Sequence, residues 1–277
     1  AVNLYKMNVD KFFSLFMDEL GGNPNLYPYY KLNVGSDTRQ KFRKAYFLQR
    51  LEYIDKNIDK SRQNKIFDCG CGYGTTALYL AMNNIAVYGN TLEFYYKEIE
   101  NRKKYWKQFG NSDLFNCVYE NIFDNPPAKE SLDYIILQDT LHHIEPMNKA
   151  LSMFYDALKK NGKLILVEVN ANSIVESFVF FLKRGNKKII EYYDEKIQKT
   201  ILMGNENFRS EKQWETLFAN VGFKVIDSET EYIRFFLPYK YKKNDVETVI
   251  KKERKIRDKS SILKKYGFWG LNMVFEK

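Results

Sequence analysis

Apolar residues recur at helical spacing over residues 8–20, "NVDKFFSLFMDEL", where Val9, Phe12, Phe13, Phe16 and Leu20 share one face until "GGNPN" breaks the pattern. "YPYYKLNVGSD" reads as an aromatic loop, and a second amphipathic helix is predicted from Thr38 to Ile58 with Phe42, Ala45, Tyr46 and Ile54 inward. From Lys65 onward short apolar runs alternate with amphipathic stretches: "KIFDCG", "TTALYLAMNN", "IAVYGNTL", "YYKEIENRKKYWKQFG", "FNCVYENIF", "SLDYIILQD", "MNKALSMFYDALKK" and "GKLILVEVN". Strand and helix in alternation predict an α/β fold with a doubly wound parallel sheet and right-handed crossovers. After Asn170 about forty residues interrupt the alternation and read as a helical, aromatic insertion, before "SEKQWETLFANVGF" and "KVIDSETEYI" resume helix and strand. "GFWGLNMVFEK" is predicted to pair with "KVIDSETEYI" at the sheet edge, with a basic helix over residues 240–265 between them. No repeat or low-complexity linker divides the chain. One domain is expected over residues 1–277: a helical cap (1–60), a core (61–170), the insertion (171–209) and the rest of the sheet (210–277).

Composition narrows the class. The chain has 277 residues, 44% hydrophobic and 16% aromatic, enough to bury a sizeable core. Its longest apolar runs, "SFVFFL" and "LDYIIL", fall far short of the roughly 18 residues of a membrane span. The opening "AVNLYKMNVDKFF" carries charges throughout rather than the apolar centre of a signal peptide, so a cytoplasmic protein is expected. Three cysteines make no disulfide framework, and "CGC" with two adjacent histidines far downstream lacks a zinc spacing, so no metal site is expected. The net charge of +9 is concentrated over residues 240–265, where basic residues exceed acidic ones by about seven. That stretch reads as a solvated helix face, with an anionic substrate, nucleic acid or an acidic membrane surface as the other readings.

The densest chemistry is "FDCGCGYGTT", where Gly70, Gly72 and Gly74 follow a strand and open a helix. The spacing is GxGxG, with Thr75 where a dinucleotide fingerprint needs its small packing residue, and no Lys-Ser/Thr pair follows as in a phosphate loop. Glycines there let the backbone adopt positive φ and approach a ligand closely, and the helix's free N–H groups can receive a carboxylate.

An acidic residue followed by GxGxG between first strand and first helix resembles the first motif of class I S-adenosylmethionine-dependent methyltransferases, and the likeness covers roughly Lys65 to Asn170, resuming near Ser210. The resemblance implies a Rossmann-like, seven-stranded, mostly parallel sheet with an antiparallel edge strand. It implies S-adenosyl-L-methionine as cofactor and S-adenosyl-L-homocysteine as product. Gly70, Gly72, Tyr73, Gly74 and Thr75 would pack on the methionine part, with Asp68 near its amino group. At the second strand end the family usually places an acidic residue on the ribose; this chain has Thr91 and Leu92, with Glu93 next. That departure, together with Gly89 and Tyr73, is similar to cyclopropane-fatty-acid synthases and related enzymes. Asn121 and Ile122 match the adenine-contacting positions after the third strand, and Gln138 ends the fourth strand beside the cofactor. "NPP" at 125–127 lies too early for the motif of adenine-N6 methyltransferases and reads as a stiff turn.

"LHH" after the fourth strand is similar to the loop of small-molecule methyltransferases and holds the chain's only histidines, His142 and His143, at the carboxyl end of a central strand, where open sheets bind ligands. Either imidazole is a candidate general base for a hydroxyl acceptor, with Asp139 or Glu145 as orienting carboxylate, and positioning alone is the rival account. Aromatic residues with interspersed Lys and Arg in "NLYPYY", the insertion and "YIRFFLPYKYKK" suit an apolar or ring-bearing acceptor with an anionic part, and "SFVFFLKRGNKK" suits peripheral contact with a membrane surface. The leading expectation is methyl transfer to a lipid, sugar or secondary metabolite. An RNA methyltransferase, which lacks a recognisable binding module here, and a non-catalytic cofactor-binding protein of the same fold are the alternatives.

Overall fold

The computed structural model describes residues 7–32, 35–93 and 96–277. Residues 1–6 of the charged opening, 33–34 of the aromatic loop and 94–95 after the second strand lie outside the described residues. The chain forms two compact units, one running to Tyr119 and including Phe236–Lys251, the other comprising Glu120–Phe235 and Lys252–Lys277.

The first unit opens with helix α1 (Val9–Gly22), which Asn8 caps by accepting from the Lys11 N–H at 2.8 Å, and continues through one turn, α2 (Tyr27–Tyr30), into α3 (Asp37–Lys56). The apolar stripe of α1 is buried as its spacing predicted: Phe12 stacks on Trp106 at 4.4 Å and meets Tyr79 edge-on at 5.2 Å. Strands β1 (Ile66–Cys69), β2 (Val87–Thr91) and β3 (Phe115–Tyr119) run parallel in the order β3-β2-β1, with Ile66 opposite Val87 and Val87 opposite Phe115. Between them lie α4 (Thr75–Met82), every residue of which is buried, and α5 (Glu98–Trp106). A helix without a solvent face has to be largely apolar and to pair what polar groups it carries: "ALYLAM" follows two threonines, and the Tyr79 hydroxyl donates to Asp55 at 2.7 Å.

In the second unit β4 (Leu132–Gln138) is parallel to β5 (Leu158–Val169), and α6 (Met147–Ala157) joins them. The continuous apolar runs of β4 and β5 fit strands covered on both faces. The insertion begins as foreseen with a helix, α7 (Ile174–Arg184), but "IIEYYDEKIQKTILMG" forms the antiparallel hairpin β6 (Ile189–Asp194) and β7 (Lys199–Gly204) instead of further helix. Its β-branched and aromatic residues pair across the strands, Tyr192 with Ile201 and Tyr193 with Thr200, and Asp194 Oδ1 closes the turn by accepting from the Lys196 N–H at 2.8 Å. After α8 (Glu211–Ala219), the single strand expected over "KVIDSETEYI" is two short ones, β8 (Lys224–Val225) and β9 (Glu231–Ile233), separated by a helical turn. Both pair antiparallel with the closing strand β10 (Gly270–Glu276), itself antiparallel to β5. That division adds one short strand to those expected. The basic stretch folds as α9 (Val246–Lys259) and α10 (Ser261–Gly267).

Candidate functional site: the glycine turn and the histidine cluster

In the first unit the turn between β1 and α4 is built on three left-handed residues, Gly70 (φ 68°), Gly72 (φ 57°) and Gly74 (φ 77°), a backbone that side-chain-bearing residues rarely adopt. Two of them also lack room for a side chain. A Cβ on Gly74 would lie 2.2 Å from the Phe115 ring, and one on Gly72 would lie 2.9 Å from the Tyr29 hydroxyl. Asn90 fixes the start of the turn, its Oδ1 accepting from the Gly70 N–H at 3.0 Å and its carbonyl from the Cys71 N–H at 2.9 Å. The Cys71 and Cys117 sulfurs lie 3.4 Å apart, and both residues are free thiols.

Asp68 sits two residues before Gly70 on β1, buried, with Oδ2 lacking a hydrogen-bond partner among the described residues. Burial alone pushes its pKa from 3.8 up to about 7. A carboxylate left in that condition is costly unless a cation or donor reaches it. Beneath the turn, Arg102 of α5 is fully buried and grips Glu19 of α1 through two contacts of 2.8 Å, while its Nη1 donates to the Tyr73 carbonyl (2.7 Å) and Thr75 Oγ1 (2.8 Å). The Thr75 hydroxyl is also 2.6 Å from that of Tyr30, and Tyr73 is buried with its ring edge-on to Tyr29 at 4.8 Å. Thr75 and Tyr73 therefore tie the turn to the helical cap. At the end of β2, Thr91 is buried with Oγ1 accepting from the Glu93 N–H at 3.1 Å, and Leu92 is exposed.

In the second unit Gln138 ends β4, half-buried, its carbonyl accepting from the Thr140 hydroxyl at 2.9 Å. Asn121 uses Oδ1 to accept from the Phe123 N–H at 3.0 Å in a tight turn, and Ile122 beside it is buried. His142 and His143 occupy a short helical turn with ring centroids 4.0 Å apart. His142 is buried and its Nδ1 lies 2.6 Å from Glu168 Oε2 on β5, while Glu168 Oε1 accepts from the His142 N–H at 3.2 Å. His142 Nε2 is 3.6 Å from Glu206 Oε2. Burial disfavours the charged imidazole, but Glu168, Asp139 and Glu206 outweigh it and raise the His142 pKa above 6.5. His143 differs. Its Nδ1–H donates to the Gly204 carbonyl at 2.9 Å, which fixes the tautomer and leaves Nε2 as the basic nitrogen. Burial, then the charge of His142, lower its pKa below 6.5. The hairpin end is pressed close to this pair: a Cβ on Gly204 would lie 2.0 Å from the His142 carbonyl oxygen.

A family model described as "Methyltransferase domain" matches residues 39–228, more than half of the chain. The chain belongs to this methyltransferase domain family. A protein of Methanocaldococcus jannaschii without assigned function is 25% identical over 139 residues, 50% of this chain, and the match spans only 56% of that relative's own length. An O-methyltransferase of Aspergillus nomiae is 22% identical over 63% of this chain and 70% of its own. The fold is similar to the crystal structure of an S-adenosylmethionine-dependent methyltransferase from Archaeoglobus fulgidus, with TM-score 0.55 and 15% identity over 83% of this chain and 92% of that one.

Within the methyltransferase domain, one of the two carboxylates singled out from sequence as an orienting group, Glu145, is taken by the Met147 N–H (2.9 Å), Asn207 (3.0 Å) and Arg209 (3.4 Å). The other, Asp139, adds its charge to the field that raises the His142 pKa, and the hydrogen bonds of His142 go to Glu168. Glu168 takes that place because β5 lies beside β4 and carries it alongside the loop. Its signal was a single glutamate in the otherwise apolar "LILVEV". Glu206, more than sixty residues from the histidines, had no signal. His142, His143 and Glu206 offer one donor atom each within 4.8 Å of one another, close enough for a divalent cation that the sequence spacing did not suggest. The same carboxylates, Glu168 and Glu206, favour the charged form of the His142 imidazole.

Proposed function

We propose that this chain is an S-adenosyl-L-methionine-dependent methyltransferase that methylates an oxygen of a small molecule, with His143 as general base. The observation that carries the cofactor assignment is the buried Asp68 carboxylate with an unpartnered oxygen two residues before a turn of three left-handed glycines. An ammonium group of an amino-acid ligand would satisfy that oxygen and draw the Asp68 pKa back down. The methyltransferase family and the fold point to the same ligand. Gly70, Gly72 and Gly74 would admit the methionine part against bare backbone, and Thr91 at the end of β2 is assigned to the ribose. When bound, the sulfonium supplies an electrophilic methyl group to an in-line nucleophile and leaves as S-adenosyl-L-homocysteine.

The protein's own contribution to the chemistry is positioning and proton handling. A hydroxyl is a weak nucleophile at neutral pH, and a neutral imidazole that accepts its proton as the new bond forms lowers the barrier. His143 suits this role: its lowered pKa keeps Nε2 unprotonated, and the Gly204 carbonyl holds the ring by its other nitrogen. His142, tied to Glu168, is the positioning neighbour. The O-methyltransferase of Aspergillus nomiae among the relatives supports oxygen as the attacked atom.

The test is calorimetric titration of the protein with S-adenosylmethionine and with a nicotinamide dinucleotide, followed by incubation of a metabolite and lipid extract with methyl-labelled cofactor. The sulfonium nucleoside is expected to bind, the Asp68→Asn variant to bind it more weakly, and label to appear on a hydroxyl. Uptake of the dinucleotide alone would overturn the cofactor assignment, and label on nitrogen or carbon would overturn the oxygen assignment.

A further inference from the structure

α7 carries an apolar face that the second unit leaves uncovered. Ile174, Val175, Phe178, Val179, Phe181 and Leu182 recur every three or four residues along one side, and each is between 38% and 70% exposed. The opposite side is anchored: the Ser177 hydroxyl donates to the Ala171 carbonyl at 2.6 Å, and the Phe180 ring meets Phe208 at 4.5 Å, which in turn lies 4.3 Å from His142. The uncovered face is therefore held outward by a fixed inner face.

A second helix extends it. α10 packs against α7 and exposes Ile262 (71%), Leu263 (44%) and Tyr266 (42%). Asn170, fully buried at the end of β5, staples the two together: its Nδ2 donates to the carbonyls of Lys265 and Phe268, both at 2.9 Å, and its Oδ1 accepts from the Asn172 N–H at 3.0 Å in the turn that leads into α7. Nine large exposed apolar side chains grouped on two adjoining helices are what marks an interaction surface, as singly scattered ones do not. Lysines accompany the patch: Lys183 lies in the last turn of α7 and Lys187 and Lys188 follow that helix, while Lys259 precedes α10 and Lys265 lies in its last turn, all exposed.

We infer that this α7–α10 face docks on the surface of an anionic lipid bilayer, with both helices lying in the interface. Neither helix spans: among the described residues none is long and apolar enough to cross a membrane. An eleven-residue helix with aromatic and aliphatic residues on one side and lysines at its edge matches the physics of interfacial binding, in which apolar side chains enter the acyl boundary and ammonium groups meet lipid phosphates. The charge selects lipid over a second copy of this chain. Two copies joined through the face would bring Lys183, Lys187, Lys188 and Lys265 against their own counterparts, whereas an anionic surface neutralises them. The inference stands on the second unit's surface and does not depend on the methyl-transfer reading.

The test is sedimentation of the whole protein with vesicles of phosphatidylcholine alone or mixed with phosphatidylglycerol, alongside light scattering of the free protein. Retention is expected on the mixed vesicles, weakening with salt. Phe178→Asp with Leu182→Asp should lower vesicle affinity more than tenfold, and Lys187→Gln and Lys188→Gln about fivefold each. All four positions are exposed, so circular dichroism and S-adenosylmethionine titration of the variants should match the parent and separate a lost surface from a lost fold. Equal retention on both vesicle types, no retention, or unaltered binding by the variants would overturn the inference. So would a stable dimer that the Phe178→Asp variant converts to monomer.

Discussion

Asp68 carries opposite consequences for stability and for binding. Its folded-state pKa of about 7 lies above 3.8, so the folded protein without ligand holds the Asp68 proton more tightly than the unfolded chain does. That stabilising contribution is complete below pH 3.8 and is lost as pH climbs through about 7. Asp68→Asn is therefore expected to raise the melting temperature of the ligand-free protein at pH 8 and to weaken S-adenosylmethionine binding by roughly ten- to a hundredfold, the worth of a charged hydrogen bond. Thermal melts across pH and calorimetry check both; a variant with unaltered affinity would detach Asp68 from the ligand. His143 is read through the rate. A base must be unprotonated, so the acid limb of kcat is expected below pH 6.5, and His143→Ala should lower kcat by about 100-fold or more with the S-adenosylmethionine Kd unchanged. Glu168→Gln removes the charge that raises the His142 pKa, so His142 gives up its proton at lower pH; the relief of its repulsion on His143 outweighs the loss of Glu168's smaller direct attraction and moves that limb to higher pH. A limb that stays in place would show that the two imidazoles do not communicate.

Among the secondary-structure elements, α1 and α5 act as one clamp on the glycine turn. Glu19 accepts from Arg102 twice and from Trp106 Nε1 at 2.9 Å, and Arg102 passes the restraint to the carbonyl of Tyr73 and the hydroxyl of Thr75. Both charges are buried, and removing one partner strands the other, at a typical cost of about 3–5 kcal/mol. Glu19→Ala is expected to lose that much in denaturant unfolding and, at temperatures where it remains folded, to bind S-adenosylmethionine more weakly because the turn is no longer held. Loss of stability with unaltered affinity would reduce the clamp to a packing device. The hairpin β6–β7 is the corresponding element of the second unit: its end brings Gly204 to His143 and Glu206 to His142, so an insertion outside the common strand-helix alternation completes the histidine cluster.

For the molecule as a whole, local periodicity in the chain was enough for the alternating α/β plan, the buried stripe of α1, the parallel runs β1 to β5 and the glycine turn. Those features depend on spacing between near neighbours, and positive φ at three alternate positions is a demand only glycine meets without strain. The hairpin in the insertion escaped the same reading because its residues are mostly exposed and show no clean alternation; cross-strand pairing stabilises it, and pairing is not a property of either strand alone. The partners of the histidines escaped for a related reason. Glu168 meets His142 across adjacent strands and Glu206 arrives on a hairpin, contacts separated by 26 and 64 residues that exist only once the chain is packed. The same holds for Glu19 and Arg102, 83 residues apart, and for the adjoining α7 and α10. Short-range order thus came from which residues follow one another, whereas the electrostatics of Asp68, His142 and His143 were decided by burial and by charges delivered from distant parts of the chain, quantities that only tertiary packing creates.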